Sequence, residues 1–301
     1  MSVENTLLSQ FSDDIANLVE ASRAYTVTVF GRRRLPGTGI VWAADRVVTA
    51  SHVVERDEDI EIGMADGTRH AATVIGRDPS SDLVVLKVEE TELTVAPRAD
   101  VPRPGEIVFA VGRAGVAGPD VSMGIVNTTR IGLRVGRGRI IEPILQSEIA
   151  MLPGFSGGPL LNARGEVLGM NSSHLGRAES LTISNAALEP LVEALSLYGK
   201  LRRGYIGVGA QAVGLAEAQV SDSGERHEVG LVILSIDQGG PAHEAGLLIG
   251  DILVAVDGHA VSSVDDLVDL LPGERIGHTI PVTIVRGSES LAVQITVGER
   301  A

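Results

Sequence analysis

The sequence predicts a mainly β protein, built as barrels or a sandwich and followed by a separate strand-rich unit. Three observations point there. Short Val/Ile-rich runs recur from Tyr25 onward, each bounded by turn residues. That spacing suits antiparallel β structure and not a parallel α/β sheet. Aromatics make up 3% of the chain and glycines number 36, so Val, Ile and Leu must fill the cores while glycine serves the turns. At 301 residues there is room for two ordinary domains, each with its own core.

Each element follows from local pattern. Between Leu7 and Ala21, residues Leu7, Leu8, Phe11, Ile15, Leu18 and Val19 fall on one face of a helix. Strands are expected at Tyr25–Phe30, Gly39–Trp42, Arg46–Thr49, Ile60–Met64, Ala72–Ile75 and Leu83–Val88, with a hairpin turn at Ala65-Asp66-Gly67-Thr68. The run Val101-Pro102-Arg103-Pro104-Gly105 interrupts the series and separates two sub-domains. A second series follows at Ile107–Val111, Ser122–Val126, Ile144–Glu148, Pro159–Leu161 and Val167–Asn171. Leu188–Tyr198 has helical periodicity and stops at Gly199, a natural C-cap. The polar stretch from Gly199 to Gly204 then leads to a strand-rich unit, Tyr205–Val297, with one helix at Val264–Leu271. The expected division is a helical segment over 1–22, a β domain over 23–198 and a smaller domain over 199–301.

Composition excludes several functions. The formal charge is −14, which argues against nucleic-acid binding, where a basic face is the rule. With no cysteine there is no Cys nucleophile, disulfide or thiolate metal site. No stretch approaches the length of a membrane span. The first residues carry neither a basic n-region nor an apolar h-region. A cytoplasmic protein fits the chain as it stands; an envelope protein whose leader had been removed reads the same way. No metal or cofactor is implied, and there is no phosphate-binding loop to suggest a need for ATP.

The chemistry centres on Gly154-Phe155-Ser156-Gly157-Gly158-Pro159-Leu160. A serine between glycines suits a hydroxyl nucleophile whose neighbouring N–H groups face a substrate oxygen. Such a hydroxyl needs a base. His52 ends the run Val47-Val48-Thr49-Ala50-Ser51-His52, where a strand gives way to a turn. The base needs an orienting acid. Asp82 stands at the mouth of the apolar strand Leu83–Val88 and must find a partner there. Asp78, followed by Pro79, reads as a turn starter. His174, after Asn171-Ser172-Ser173, either lines the cleft or lies at the surface, and the surface reading is favoured.

These motifs occur in the order His, Asp, Ser. With Gly37-Thr38-Gly39-Ile40 and Arg203-Gly204-Tyr205-Ile206-Gly207-Val208 they resemble the HtrA/Deg serine proteases, trypsin-like double β-barrels with an appended PDZ domain. The resemblance covers about residues 25 to 298. It implies that His52 is the general base, Asp82 its orienting acid and Ser156 the nucleophile, with an oxyanion hole from the N–H groups of Gly154 and Ser156. It implies a substrate pocket formed by Ala150, Met151, Leu181, Thr182 and Ile183. That pocket would be apolar and would favour cleavage after small or medium aliphatic residues. The PDZ carboxylate loop would be Tyr205, Ile206, Gly207 and Val208, reading peptide C-termini. The family further implies ATP-independent cleavage of unfolded or damaged proteins, and a homotrimer. Phe11 and Tyr25 are the aromatic candidates for the trimer contact. Two positions depart from the family pattern. Phe155 stands where Asn is usual, and Ser180-Leu181-Thr182-Ile183-Ser184 stands where Gly-Phe-Ala-Ile-Pro is usual. Phe155 motivates an alternative: a latent or inactive protease domain in a PDZ-based binding or scaffold protein.

Overall fold

The structure, a computed structural model, describes residues 6–89, 92–115, 118–135, 139–176, 180–220 and 226–299. Among these, no helix is long and apolar enough to cross a membrane. The chain divides into two compact units, one ending at Leu201 and the other running from Arg202 onward and also including Arg139 and Ile140.

The first unit opens with α1 (Leu7–Ser22), capped by Thr6, whose side chain accepts from the Ser9 N–H. Only the far end of its apolar face is used. Ile15, Leu18 and Val19 join the core, while Leu7, Leu8 and Phe11 remain exposed. Tyr25 is buried, and its hydroxyl donates to the Gly165 carbonyl. Burial raises its pKa to about 12. Its side chain is spent inside this unit, whereas Phe11 is exposed.

Six strands follow: β1 (Thr26–Phe30), β2 (Gly37–Ala43), β3 (Arg46–Ala50), β4 (Ile60–Gly63), β5 (Arg69–Asp78) and β6 (Leu83–Val88). They close into a barrel in the order β1-β2-β3-β6-β5-β4. A second closed barrel uses β7 (Ile107–Gly112), β8 (Asp120–Val135), β9 (Arg139–Ser147), β10 (Pro159–Asn162), β11 (Val167–Ser172) and β12 (Ser180–Ser184). Its order, β10-β11-β12-β9-β8-β7, is the same permutation. The Val101–Gly105 break falls between the barrels. Closure removes exposed sheet edges, so these short strands need no further cover. One apolar cluster includes residues of both barrels, from Val27, Ile40 and Leu86 to Met170 and Ile183.

The helix α2 (Asn185–Tyr198) starts at Ser184, whose hydroxyl accepts from the Ala187 N–H, and ends at Gly199 in a left-handed conformation. It lies close against β5. A Cβ at Gly76 would come within 2.3 Å of the Leu195 carbonyl oxygen, so glycine is what permits the approach.

In the second unit, β13 (Gly204–Tyr205) pairs with β20 (Gly298–Glu299). The main sheet runs β14 (Val208–Val220), β15 (Arg226–Ile236), β16 (Ile252–Val256), β18 (Thr279–Arg286) and β19 (Glu289–Thr296), with β17 (His259–Ala260) beside β16. Two short helices are α3 (Pro241–Glu244) and α4 (Val264–Asp269). The second begins in a reciprocal capping box between Ser263 and Asp266. Leu231, Ile233, Leu253, Val282, Ile284 and Ile295 form a core separate from that of the barrels. The buried Asp251 accepts from Arg286 Nε at 2.8 Å and Nη2 at 2.7 Å, which holds its carboxyl below the ordinary range.

Candidate active site

The first barrel builds an imidazole–carboxylate pair. After β3 the chain turns through a short 3-10 segment, Ser51–Val53, that carries His52. Val53 and Val54 are buried and anchor the turn. The β3–β6 register pairs Ala50 with Leu83, so the residues just beyond this pair, His52 and Asp82, meet at the barrel end. Asp82 takes a left-handed conformation, φ 54°, which an L-aspartate tolerates better than most side chains. Its carboxylate lies 2.9 and 3.0 Å from His52 Nδ1 and accepts from the His52 backbone N–H at 3.0 Å. Ser172 Oγ donates to the same carboxylate at 2.5 Å. Burial alone would push the Asp82 carboxyl up. The hydrogen bonds from His52 and Ser172 outweigh it and hold the group below its ordinary value. Asp78 is not part of this pair. It accepts from Ser80 Oγ and the Ser81 N–H, closing the turn into β6.

The serine loop lies between the barrels' residues. Leu152-Pro153-Gly154-Phe155 is a β-turn closed by the Phe155 N–H to Leu152 carbonyl bond at 3.1 Å. Gly154 has φ +93°. A positive φ at the third turn position, after proline, is the type II geometry. Thr38 of the first barrel holds the loop twice. Its hydroxyl donates to the Gly154 carbonyl at 2.6 Å, and its N–H donates to the Ser156 carbonyl at 3.3 Å. Asn171 holds it again. The Gly157 N–H donates to the Asn171 carbonyl, the Asn171 N–H donates to the Gly158 carbonyl, and Asn171 Nδ2 donates to the Pro159 carbonyl, each at 2.9 Å. Among the described residues, the N–H groups of Gly154 and Ser156 have no acceptor.

Phe155 resolves one departure from the family pattern. Its ring is 1% exposed and packs with Val108, Ala110, Leu160 and Leu168 in a cluster of the second barrel. Gly112 makes room for it, since a Cβ there would sit 2.1 Å from Phe155 Cδ1. The side chain turns into the core and plugs the loop from beneath.

One tripeptide touches all three groups. Ser172 bonds Asp82. Ser173 Oγ is 2.9 Å from Ser156 Oγ, and the Ser173 N–H donates to Ser156 Oγ at 3.2 Å. His174 stacks on His52 with ring centroids 3.6 Å apart. Among the described residues, His52 and Ser156 share no hydrogen bond. Sequence reasoning passed over Ser172 and Ser173 and favoured the surface over the cleft for His174. His174 is exposed, but with His52 and Asp82 it also lines a small pocket shared with Ser51, Pro79, Ser80 and Leu175. The usable signal was position: Ser172 ends β11 and Ser173 and His174 follow it directly, beside the serine loop.

Residues 37–170 match the family described as trypsin-like peptidase domain, and residues 204–297 match PDZ domain. The crystal structure of the serine endoprotease from Yersinia pestis is similar to this chain, with a TM-score of 0.75 and 30% identity, covering 95% of this chain and 98% of that one. The chain belongs to the HtrA family of serine proteases. DegS of Escherichia coli K12 is 29% identical to this HtrA protein over 88% of this chain and 77% of its own length. A probable periplasmic DegP-like serine endoprotease of Ectopseudomonas mendocina is 32% identical over 87% of this chain. The HtrA chain described here spans 56% of that relative's length.

The five predicted lining residues of this HtrA protein fall into two groups. Ala150 is exposed and Met151 half-buried. Leu181, Thr182 and Ile183 lie in β12 with almost no exposure. Leu181 and Ile183 point into the core, and Thr182 Oγ1 donates to Asn171 Oδ1 at 2.7 Å, bracing the residue that holds the serine loop. In the second unit, Ile206 is buried and Gly207 has φ +81°. The Gly207 carbonyl accepts from the Asp237 N–H, and the Tyr205 hydroxyl bonds Asp237. β14, which follows this loop, is an edge strand of its sheet.

Proposed function

We propose that this protein is an ATP-independent endopeptidase acting on unfolded or damaged proteins through a covalent acyl-enzyme. One observation carries the reading: the consecutive residues Ser172, Ser173 and His174 contact Asp82, Ser156 and His52 respectively. A nucleophile, a base and its orienting acid are thereby gathered at one strand end. Ser156 attacks the scissile carbonyl as His52 Nε2 accepts its proton. Asp82 fixes the Nδ1–H tautomer and stabilises the imidazolium. The open N–H groups of Gly154 and Ser156 receive the developing oxyanion. His52 then returns the proton to the leaving amine, and a water repeats the cycle on the acyl-serine. The buried Phe155 leaves the loop unobstructed, which removes the motive for the scaffold reading.

A second observation favours a resting state. Ser156 Oγ bonds Ser173 and must rotate toward His52 before it can react, as serine and base are often apart in a free enzyme. The PDZ unit supports recognition of peptide C-termini. Its loop, Tyr205-Ile206-Gly207-Val208, would capture the carboxylate, and the β14 edge would pair with the peptide strand. A fluorophosphonate probe tests the whole reading. It is expected to label Ser156, to fail on Ser156→Ala, and to label faster when a peptide with a free C-terminus is added. No labelling of folded protein, with or without peptide, would favour the scaffold.

Ala150 and Met151 retain accessible surface and supply no charge, so we assign specificity to small and medium aliphatic residues before the cut. A peptide library is expected to show this preference; equal or faster cleavage after Lys or Arg would refute it. A periplasmic location, the one named for the E. mendocina relative, suits such a role. Fractionation of cells carrying the full-length protein decides it.

A further inference from the structure

Peptide hydrolysis uses His52, Asp82 and Ser156 and leaves His174 without a task. Its ring nevertheless lies on that of His52, 3.6 Å between centroids with the planes tilted by 41°. His52, Asp82 and His174 each offer a ligand atom, and these atoms all lie within 4.8 Å of one another. Asp82 already engages His52 Nδ1. Among the described residues, His52 Nε2 has no hydrogen-bond partner. An imidazole that gives one ring N–H to a carboxylate and keeps the other nitrogen free is the usual form of a supported zinc ligand.

We propose that His52 and His174 form a Zn²⁺ site, with Asp82 behind it, at which the metal reversibly switches the peptidase off. Zinc binds imidazole nitrogen at about 2.0–2.1 Å, so two such ligands on a tetrahedral ion stand about 3.3 Å apart. His174 is exposed, so its side chain can swing off the face of the His52 ring, and that movement is needed before both nitrogens reach one ion. Water fills the remaining positions. The consequence is chemical and not merely steric. The Nε2 lone pair that would accept the Ser156 proton is donated to the metal, so the base is lost while the fold is unchanged. Nitrogen ligands select borderline ions such as Zn²⁺ and Co²⁺ over Mg²⁺ and Ca²⁺, which take oxygen.

Inhibition rests on His52 being the base; binding does not, so the two are measured separately. Binding is read by calorimetry with Zn²⁺ and by the visible absorption of tetrahedral Co²⁺, on the full chain carrying Ser156→Ala. Adding His174→Ala is expected to weaken Zn²⁺ binding by at least about tenfold and to abolish the Co²⁺ band. His278→Ala, an exposed histidine in the other unit, is expected to change neither. Inhibition is read on the unmutated protein. Hydrolysis should fall over the Zn²⁺ range in which binding occurs, recover with EDTA, and ignore Mg²⁺. His174→Ala, compared with its own metal-free rate, should resist. Unaltered Zn²⁺ affinity in the His174→Ala protein would overturn the site. Binding without any loss of hydrolysis would overturn the switch. Binding in a protein that hydrolyses nothing would leave the site standing and refute the peptidase reading instead.

Discussion

Replacing Asp82 with asparagine is expected to slow peptide hydrolysis about 10⁴-fold while leaving the fold intact. The structure supplies the reason. The carboxylate accepts three hydrogen bonds, from the His52 backbone N–H, the His52 ring and Ser172 Oγ. An asparagine amide turned to accept from Ser172 presents its NH₂ to His52 Nδ1. Nδ1 must then accept, the ring proton moves to Nε2, and no lone pair remains to take the Ser156 proton. The same NH₂ replaces the oxygen that accepts from the His52 backbone N–H, so that bond is lost as well, while the near-identical shape of asparagine preserves the packing around it. The measurement is kcat/KM on an unfolded protein substrate, with circular dichroism as the control. A rate within about tenfold of the parent would mean that the pair is structural only. The buried carboxyl also sets a pH dependence of stability. Its folded pKa is depressed. Its stabilisation is therefore complete above the unfolded carboxylate range and is lost as pH falls through the lower folded value.

Truncating Phe155 to alanine is expected to cost about 3–5 kcal/mol, as for other fully buried phenylalanines. For a unit of this size that corresponds to a fall of roughly 6–20 °C in Tm. The ring fills a space bounded by Val108, Ala110, Leu160, Leu168 and the bare Cα of Gly112. Its removal leaves a void directly under the turn that presents the Gly154 and Ser156 N–H groups. Activity below the new Tm should therefore fall as well. Asparagine, the usual residue of the family, should destabilise too, because this apolar site offers its amide no partner. Thermal unfolding of the full chain checks both. A Tm within about 2 °C of the parent in the alanine variant would show that the pocket collapses without penalty.

The legible parts of the protein were those specified by local pattern. Short Val/Ile-rich runs between turns marked the barrel strands. Gly199 stopped α2 in the left-handed conformation expected of it, while the start, read at Leu188, lies three residues earlier at Asn185 behind the Ser184 cap. β12, Ser180 to Ser184, escaped notice as a strand although its hydroxyl and apolar side chains alternate, because it is not one of the Val/Ile-rich runs by which the other strands were read. Leu7, Leu8 and Phe11 lie on the predicted helix face but stay exposed, since periodicity states which residues share a face and not what covers it.

The sequence by itself determined the β class, the order of His52, Asp82 and Ser156 along the chain, and the glycines that let the serine loop turn. These are properties of residue type and short spacing. Tertiary structure alone decided what depends on register and closure. The β3–β6 pairing set Asp82 against His52. The end of β11 and the two residues after it, far from both in sequence, brought Ser172, Ser173 and His174 against Asp82, Ser156 and His52. The same packing turned Phe155 inward. In sequence that residue was the one doubt beside Ser156. In three dimensions a large apolar side chain lowers its free energy by leaving water, and the space left by Gly112 receives it.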